Sequence, residues 1–419
     1  MKKFFILTAA VLMGLGSLTS CSSEDEGGDG GVYSDRTYGQ QAIDACADIV
    51  TQLENANTQI GSSRLTTEQE AYLRNVLTHL VDDVIVPTYT DLADDVESLE
   101  AVLHGLTAET ITQEQINNAC AYFKQAREKW ERSEAFLMGA ATDYEIDPTI
   151  DSWPLNRTML LAYFNNGMSG DALNDQSILG FHALEFILFR NGQPRKVEEL
   201  RGNDTYPQFE GVKGSDELKY AQTICTLLKE RTFQLQVAWE GETAGNAGRA
   251  QLVKNAGLAI TTQDGGLSYG DNLKLAGISG SKSRFANLTD AITQVLSLDE
   301  GSAAAIATEV GTAKIANPFS AGDISYVESP YSYNSITDFQ DNIRSIRNVW
   351  YGSTNGTAAE YSFHNFFAGI DGSDTNAQVE GAVSNAITRI GNMPAPFVKY
   401  VSTIWNMAFE DDNVYEEYD

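Results

Sequence analysis

His182 and Glu185 place an imidazole and a carboxylate three residues apart in a stretch, residues 177–190, that is otherwise almost entirely apolar. The stretch predicts a helix buried in a bundle, and side chains three residues apart on a helix point the same way. Burying both groups costs free energy unless something pairs with them. Helical bundles present glutamate and histidine at this spacing to iron or zinc. The alternative explanation is a buried His–Glu hydrogen bond that only fixes helix packing.

Two ligands are too few for a metal site, so further donors must come from elsewhere in the chain. Glu134 is a candidate because it lies in the apolar context Ser-Glu-Ala-Phe, and Glu131 precedes it by three residues. Asp151, close to Trp153, is another. The predicted metal ligands are His182, Glu185, Glu134 and Asp151.

Gly180 and Arg127 are the candidates for supporting roles. Gly180 has no Cβ, so another backbone can approach closely there or the helix can start sharply. Arg127 lies three residues before Trp130 and four before Glu131, so the three share a helix face. On spacing alone, we expect a surface ion pair beside a core tryptophan.

The histidine spacings of known zinc proteases do not occur in the sequence. His79, His104 and His364 show no ligand spacing, and we expect them to be structural or exposed. A zinc protease of the HExxH or HxxEH type needs a second histidine one turn from the first, and neither pattern is found. A P-loop and a dinucleotide fingerprint are also missing. The sequence contains no CxxC motif, so it does not indicate a metal site with thiolate ligands.

Charge and composition limit the partners. The 419 residues include 58 acidic and 28 basic ones, a formal net charge of −30. Such a field repels phosphate and therefore excludes nucleic acid as a partner, but it suits cations, including metal ions. Apolar residues make up 42% of the chain, which excludes global disorder.

The apolar spacing predicts an all-α fold. Thr66 begins a helix start signal, with an N-cap hydroxyl followed by acidic first-turn residues, and Pro87 should kink the helix that it opens. Strand signals are scarce. The predicted helices include residues 38–57, 113–137, 215–239, 377–390 and 396–409. Each half of the chain has one long aromatic-bearing helix that ends at a glycine, which suggests a duplicated bundle.

The amino terminus predicts export and lipidation. Residues 1–20 have a basic start and a short apolar run, as in a secretory signal peptide. Cys21 follows small residues as in a bacterial lipobox, so we expect it to carry lipid and anchor the protein to a membrane. Residues 21–37 predict an acidic flexible tether, which is either a surface-export signal or a solvated spacer. We therefore expect an outer-membrane lipoprotein of a Gram-negative bacterium, facing the periplasm or the cell surface.

Beyond the tether, the pattern predicts two helical bundles. The N-terminal bundle, residues 38–240, carries the His182 and Glu185 motif. A Gly-rich segment that begins at Glu240 marks the boundary, and residues 241–419 form the C-terminal bundle.

Three motifs in order resemble the imelysin family, which includes iron-regulated envelope proteins. The central one is GxHxxE, formed by Gly180, His182 and Glu185. Before it come Trp130 with Glu134-Ala-Phe, and Asp151 with Trp153-Pro. After it comes a block from Asp338 through Asn342 to Gly352. The resemblance covers about residues 40–410.

The resemblance implies two all-helical bundle domains related by a pseudo-twofold axis, with the motifs near their junction. It also implies His182 and Glu185 as the core of the site. The residues that it adds in support are Ser329, Asp338, Asn342 and Arg344.

Three functions remain open from the sequence. The first is capture of a metal ion or an iron-bearing ligand at the domain junction for iron uptake, with iron or zinc as the metal. The second is a zinc-dependent metallopeptidase that uses the HxxE pair, although the zincin set is incomplete. The third is a structural or protein- or glycan-binding surface lipoprotein.

Overall fold

The fold is all-α, as the apolar spacing predicts, and the computed structural model describes it for residues 30–370 and 372–407. The first ten α-helices are α1 (Gly30–Ser62), α2 (Thr67–His79), α3 (Val86–His104), α4 (Gln113–Glu131), α5 (Ala140–Asp143), α6 (Asp147–Ile150), α7 (Arg157–Asn165), α8 (Gly180–Leu188), α9 (Val197–Arg201) and α10 (Gly214–Glu240). The predicted signal peptide and the predicted lipidation site at Cys21 lie outside the described residues.

The second part of the described chain is helical too. Its α-helices are α11 (Ala247–Asn255), α12 (Tyr269–Lys274), α13 (Leu288–Leu296), α14 (Ala303–Glu309), α15 (Ser335–Tyr351), α16 (Phe363–Ala368), α17 (Thr375–Gly391) and α18 (Phe397–Trp405). The strands in the described ranges are β1 (Phe189–Arg190) and β2 (Gln193–Pro194), which form one antiparallel hairpin. None of the described helices is long and apolar enough to cross a membrane.

Tighter and wider helical segments connect these helices. The 3-10 segments are Glu134–Phe136, Gly170–Asn174, Gln176–Ile178 and Ile324–Tyr326. The π-helical segments are Leu80–Ile85 and Val310–Ala321.

The rod formed by α2, the segment Leu80–Ile85 and α3 shows how sequence sets local structure. Thr66 caps α2 through a capping box with Gln69, which confirms the predicted start signal. Pro87 lies at the start of α3, directly after the π-helical segment. Proline has no N–H and crowds the preceding turn, and a wider turn at that point accommodates it within a continuous rod.

Helix α4 ends earlier than predicted. The spacing predicts a helix over residues 113–137, but α4 ends at Glu131, and a turn at Ser133 leads into the segment Glu134–Phe136. The hydroxyl of Ser133 donates to the carbonyl of Trp130 at 2.7 Å, and Ser345 of α15 accepts the N–H of Ala135 at 3.0 Å. Both side-chain bonds replace backbone bonds that a continued helix would form. Glu134 therefore leaves the axis of α4.

The two halves of the chain pack closely. Helix α1 begins at Gly30, ahead of the predicted start at Tyr38, and it packs against α17 and α14 of the second half. Helix α15 packs against α4, and one continuous apolar core joins both halves. The division into domains at residue 240 stays a prediction. The contact between α4 and α15 is the one that positions the site.

Candidate functional site

Gly180 brings α8 against the end of α6. Its φ is +76°, and a Cβ at this position would lie 2.0 Å from the carbonyl oxygen of Ile150. Both predicted roles of this glycine are confirmed, because the neighbouring backbone touches it and α8 begins there. Asp151 directly follows Ile150, so this contact places its carboxylate beside His182, one turn into α8.

His182 lies between two carboxylates. Its Nε2 is 3.2 Å from Oδ1 of Asp151, and its Nδ1 is 3.8 Å from Oε2 of Glu185. The ring is 3% exposed. Burial and the charge of Arg127 oppose protonation, but Asp151 and Glu185 outweigh them and raise the pKa of His182 to about 9. His182 therefore carries a positive charge at neutral pH.

Glu185 is fixed by the loop that precedes α15. Its Oε1 accepts hydrogen bonds from the backbone N–H of Tyr331 at 3.1 Å, and from the N–H and hydroxyl of Ser332, both at 2.7 Å. Three donors on one oxygen hold the carboxylate in place. Its Oε2 is buried and has no hydrogen-bond partner among the described residues.

Arg127 is the central cation of the site. Its guanidinium pairs with Glu131 at 2.5 Å, with Glu328 at 2.6 Å, and with Asp151. The side chains of Arg127 and Glu131 are 1% and 0% exposed, so the expectation of a surface ion pair is wrong. Trp130 does lie in the core, and its indole N–H donates to Oδ2 of Asp151 at 2.7 Å. Glu328 covers this face of α4 from the other half of the chain, which the spacing of α4 alone does not reveal.

Lys314 and Glu328 belong to the same cluster, although the sequence analysis gave them no role. Lys314 lies in the segment Val310–Ala321 and is 2% exposed. Its ammonium is 3.1 Å from Glu328 and 3.8 Å from Glu131. The sequence does contain a sign that Lys314 is buried. It is the sole lysine in residues 283–398 and stands between alanine and isoleucine.

Asp338 and Asn342 reach the site from α15. Asp338 accepts hydrogen bonds from the hydroxyl of Ser329 at 2.5 Å and from the amide of Asn334 at 2.6 Å. Burial raises the pKa of Asp338 to about 7. Asn342 donates to Oε2 of Glu131 at 2.5 Å. The structure thus places both of these motif residues, with Ser329, beside the central cation.

Two other motif residues lie differently. Arg344 donates to Asp341 at 2.9 Å on its own helix and makes no ion pair with the carboxylates around Arg127. Trp153 stacks edge-on against Tyr326, and its indole N–H is buried without a hydrogen-bond partner among the described residues. Arg344 thus lies outside the group of side chains around Arg127.

Carboxylates outnumber cations in this buried group, which we call the charge cluster. Its members are Arg127, Lys314 and His182 with Glu131, Glu134, Asp151, Glu185, Glu328 and Asp338. Six carboxylates thus face three cations. Burial raises the pKa of Glu131 and of Glu134 well above the usual range, whereas Arg127 and His182 overcome the effect of burial and lower the pKa of Asp151. The excess must be neutralised by protons or by a bound cation.

Three of the four predicted ligands fall into two overlapping groups of possible metal ligands. Ligand atoms of Asp151, His182 and Glu328 lie within 4.8 Å of one another, and so do those of Glu131, Glu134 and Asp151. Asp151 belongs to both groups, while Glu185 belongs to neither. Their role as metal ligands stays a prediction.

A pocket of about 110 Å³ opens beside these groups. His182, Glu185 and Trp153 all line it, and Oε2 of Glu185 and Nε1 of Trp153 are buried without a hydrogen-bond partner in the described part of the chain. Buried polar atoms are rarely left unpaired. Two such atoms around one pocket point to a small polar or charged ligand.

The sequence model of the imelysin family matches residues 85–412, most of the chain. This chain belongs to the imelysin family. The match includes the GxHxxE motif and both segments that surround Arg127, so the expected family and the expected helical fold are confirmed.

Relatives of this imelysin-family chain carry names that refer to iron. Iron-regulated protein A of Synechococcus elongatus is 25% identical over 280 residues, which are 67% of this chain and 65% of that protein. The match thus spans less than two thirds of the relative's length.

Two crystal structures show the same imelysin-type fold. One, provisionally named an iron-regulated protein A precursor, from Parabacteroides distasonis, has a TM-score of 0.59 at 24% identity and covers 82% of this chain and 96% of that chain. The other is an imelysin-like protein from Psychrobacter arcticum, with a TM-score of 0.50 at 11% identity over 82% of this chain and 92% of that chain.

Proposed function

We propose that this protein is a lipid-anchored envelope protein of the imelysin type that captures a metal ion or an iron-bearing ligand at the charge cluster, for iron uptake. The observation that carries the proposal is the imbalance of the cluster, in which six buried carboxylates face three cations. A bound cation would neutralise this excess in place of the protons that the raised pKa values of Glu131 and Glu134 otherwise hold there.

The donors of the cluster suit iron. Carboxylate oxygens and an imidazole nitrogen are ligands that iron accepts, and the cluster offers no thiolate. The residues that would hold the ion are Asp151 with His182 and Glu328, and Glu131 with Glu134 is the neighbouring acidic pair. Ligands must be deprotonated, so His182 would release its proton when the cation enters. Arg127 and Lys314 hold the carboxylates in place through their ion pairs.

The names of the relatives support iron as the metal. Iron-regulated protein A of Synechococcus elongatus and the Parabacteroides distasonis protein are both named for regulation by iron. Lipidation at Cys21 would keep the site in the cell envelope, at the periplasmic or the outer face of the outer membrane, where an uptake protein meets its cargo.

Metal binding tests the proposal directly. Untagged protein is titrated calorimetrically with Fe²⁺ under anaerobic conditions, and the bound iron is then measured by elemental analysis. We expect stoichiometric, saturable binding in the native chain, weakened at least about tenfold in Asp151→Asn and in the His182→Ala/Glu185→Ala double variant. Circular dichroism of each variant checks that the helical fold persists.

Glu217→Gln is the matched control, because Glu217 is a buried carboxylate that pairs with Arg195 at 2.7 Å, outside the charge cluster. Its iron affinity should equal that of the native chain. Equal loss in Glu217→Gln and Asp151→Asn would contradict the assignment of the site, and a native chain that binds no iron would contradict the function.

The lipid anchor needs its own experiment. In cells that produce the full chain, radiolabelled palmitate should be incorporated into the native protein and into Cys225→Ala, but not into Cys21→Ser. Membrane fractionation should follow the label. Label that persists in Cys21→Ser would exclude this anchor and leave the metal proposal intact.

A further inference from the structure

A second acidic surface lies beside the charge cluster and has a different composition. It is a groove of about 610 Å³ between α1, the segment 137–148 and the segment 297–313. Its carboxylates, which define what we call the acidic groove, are Glu54, Glu134, Glu145, Asp147, Asp299, Glu300 and Glu309. No lysine, arginine or histidine lines it. A concave surface with a single sign of charge concentrates cations.

The carboxylate of Glu134 lines the acidic groove without a hydrogen-bond or ion-pair partner among the described residues. The residue is 4% exposed. Burial and the neighbouring carboxylates raise the pKa of Glu134, so it tends to hold a proton, and a positively charged donor in the groove would replace that proton. This observation is independent of the number of acidic residues on the rim.

The spacing of the rim does not suit a bare metal ion. Among the described residues, groups of three ligand atoms within 4.8 Å of one another include Glu134 but none of the other six groove carboxylates. A chelated metal ion needs several oxygens converging on one point. The rim carboxylates instead suit a ligand whose positive charges are separated from each other.

Between the carboxylates the acidic groove is apolar. Ala141 and Ile306 are buried in its wall, and Val50, Leu137 and Leu298 also line it. Methylene chains pack on such surfaces while their charged ends stay near water, as lysine side chains do on protein surfaces. A ligand in which methylene segments alternate with positive charges would match this surface. Its methylene segments would pack on the apolar side chains, and its charges would lie beside the carboxylates.

We propose that the acidic groove binds a linear polyamine, with one ammonium group at Glu134 and the others at the rim carboxylates. The rim residues that take part are Glu54, Glu145 and Asp299, all of which are exposed and make no ion pair among the described residues. Ligand binding here does not depend on the iron proposal, since Glu134 is the sole member common to the groove and the charge cluster.

Calorimetric titration with spermidine tests this assignment at fixed pH and ionic strength. We expect saturable binding by the native chain, and weaker binding of n-butylamine, which has one charge and a similar methylene length. Glu54→Gln/Glu145→Gln/Asp299→Asn should lower the spermidine affinity at least about tenfold. Glu134→Gln should lower it as well, with the helical circular dichroism unchanged.

The control removes the same charge elsewhere. Glu210→Gln/Asp264→Asn/Glu360→Gln neutralises three exposed carboxylates outside the groove, two glutamates and one aspartate as in the test variant. Its spermidine affinity should stay within twofold of the native value. Equal losses in both triple variants, or displacement of spermidine by Mg²⁺ at matched ionic strength, would show diffuse charge attraction and overturn the proposal. So would the lack of saturable spermidine binding by the native chain.

Discussion

The backbone N–H and the hydroxyl of Ser332 donate hydrogen bonds to the carboxylate of Glu185, which lies 147 positions earlier in the chain. The motif residue Glu185 lies on α8 in the first half of the chain, and its partner lies in the loop before α15 in the second half. Because Oε1 of Glu185 takes three donors from that loop, the orientation of this glutamate is set by the second half. The GxHxxE motif is therefore complete only when both halves are packed.

We expect Ser332→Ala to weaken this contact. The hydroxyl of Ser332 donates at 2.7 Å to a buried carboxylate, and such a bond contributes about 2 kcal/mol to the free energy of unfolding. Urea unfolding measures the loss. Ser98→Ala is the control, because its hydroxyl bonds to a carbonyl at an exposed position and should change stability by less than about 0.5 kcal/mol. Equal effects of the two substitutions would contradict the role of Ser332.

Gly180→Ala should destabilise the fold by about 3 kcal/mol or more. The new Cβ would meet the carbonyl of Ile150, and the positive φ adds strain to any residue with a side chain. Gly167→Ala separates the two causes, since Gly167 has a φ of +72° but no neighbouring atom within 4 Å of the point where a Cβ would lie. It should cost only about 1–2 kcal/mol. Similar losses in both variants would mean that the contact with Ile150 contributes little.

Arg127→Met should cost about 3–5 kcal/mol, because it leaves Glu131, Asp151 and Glu328 buried without their shared cation. Thermal or urea unfolding measures the change. Lys254→Met is the matched control, since Lys254 pairs with Glu242 at 2.5 Å where both are about half exposed. That loss should stay below about 1 kcal/mol. An equally small loss in Arg127→Met would mean that the charge cluster is held together by other contacts.

The contribution of His182 to stability should depend on pH. Its pKa is raised to about 9 in the fold, so the fold binds a proton that the unfolded chain gives up above its ordinary value of 6.5. The stabilisation is complete below pH 6.5 and is lost as pH rises through about 9. Its full size is on the order of 3 kcal/mol.

Urea unfolding of the native chain and of His182→Gln at pH 6, 8 and 10 measures this contribution as a difference. The gap in free energy of unfolding should shrink as pH rises. His104→Gln gives the baseline for the loss of an exposed imidazole. A gap for His182→Gln that stays constant or grows with pH would contradict the ion pair with Asp151.

The local structure of the chain follows well from its sequence. Thr66 predicts the start of α2, and the apolar spacing of residues 215–239 predicts α10 to within one residue at either end. The proximity of His182 and Glu185 also follows, because three-residue spacing on a helix fixes it. These features depend on neighbours along the chain, which the sequence displays directly.

The charge cluster follows only in part. His182, Glu134 and Asp151 stand out as polar residues in apolar surroundings, but Arg127 has the spacing of an ordinary surface pair. Its partner Glu328 lies 201 residues away along the chain. Helical periodicity shows which residues share a face and says nothing about what covers that face. Lys314 was missed for the same reason, as its partners come from other segments.

The separation of Arg127 from Glu328 along the chain has a consequence for the newly made protein. A chain that emerges from its amino terminus displays His182 and Glu185 well before the loop that orients them has been synthesised. The charge cluster closes only once α15 reaches α4, so a partly made or truncated molecule has an incomplete cluster. Under the proposed function, only a finished chain would bind the metal ion.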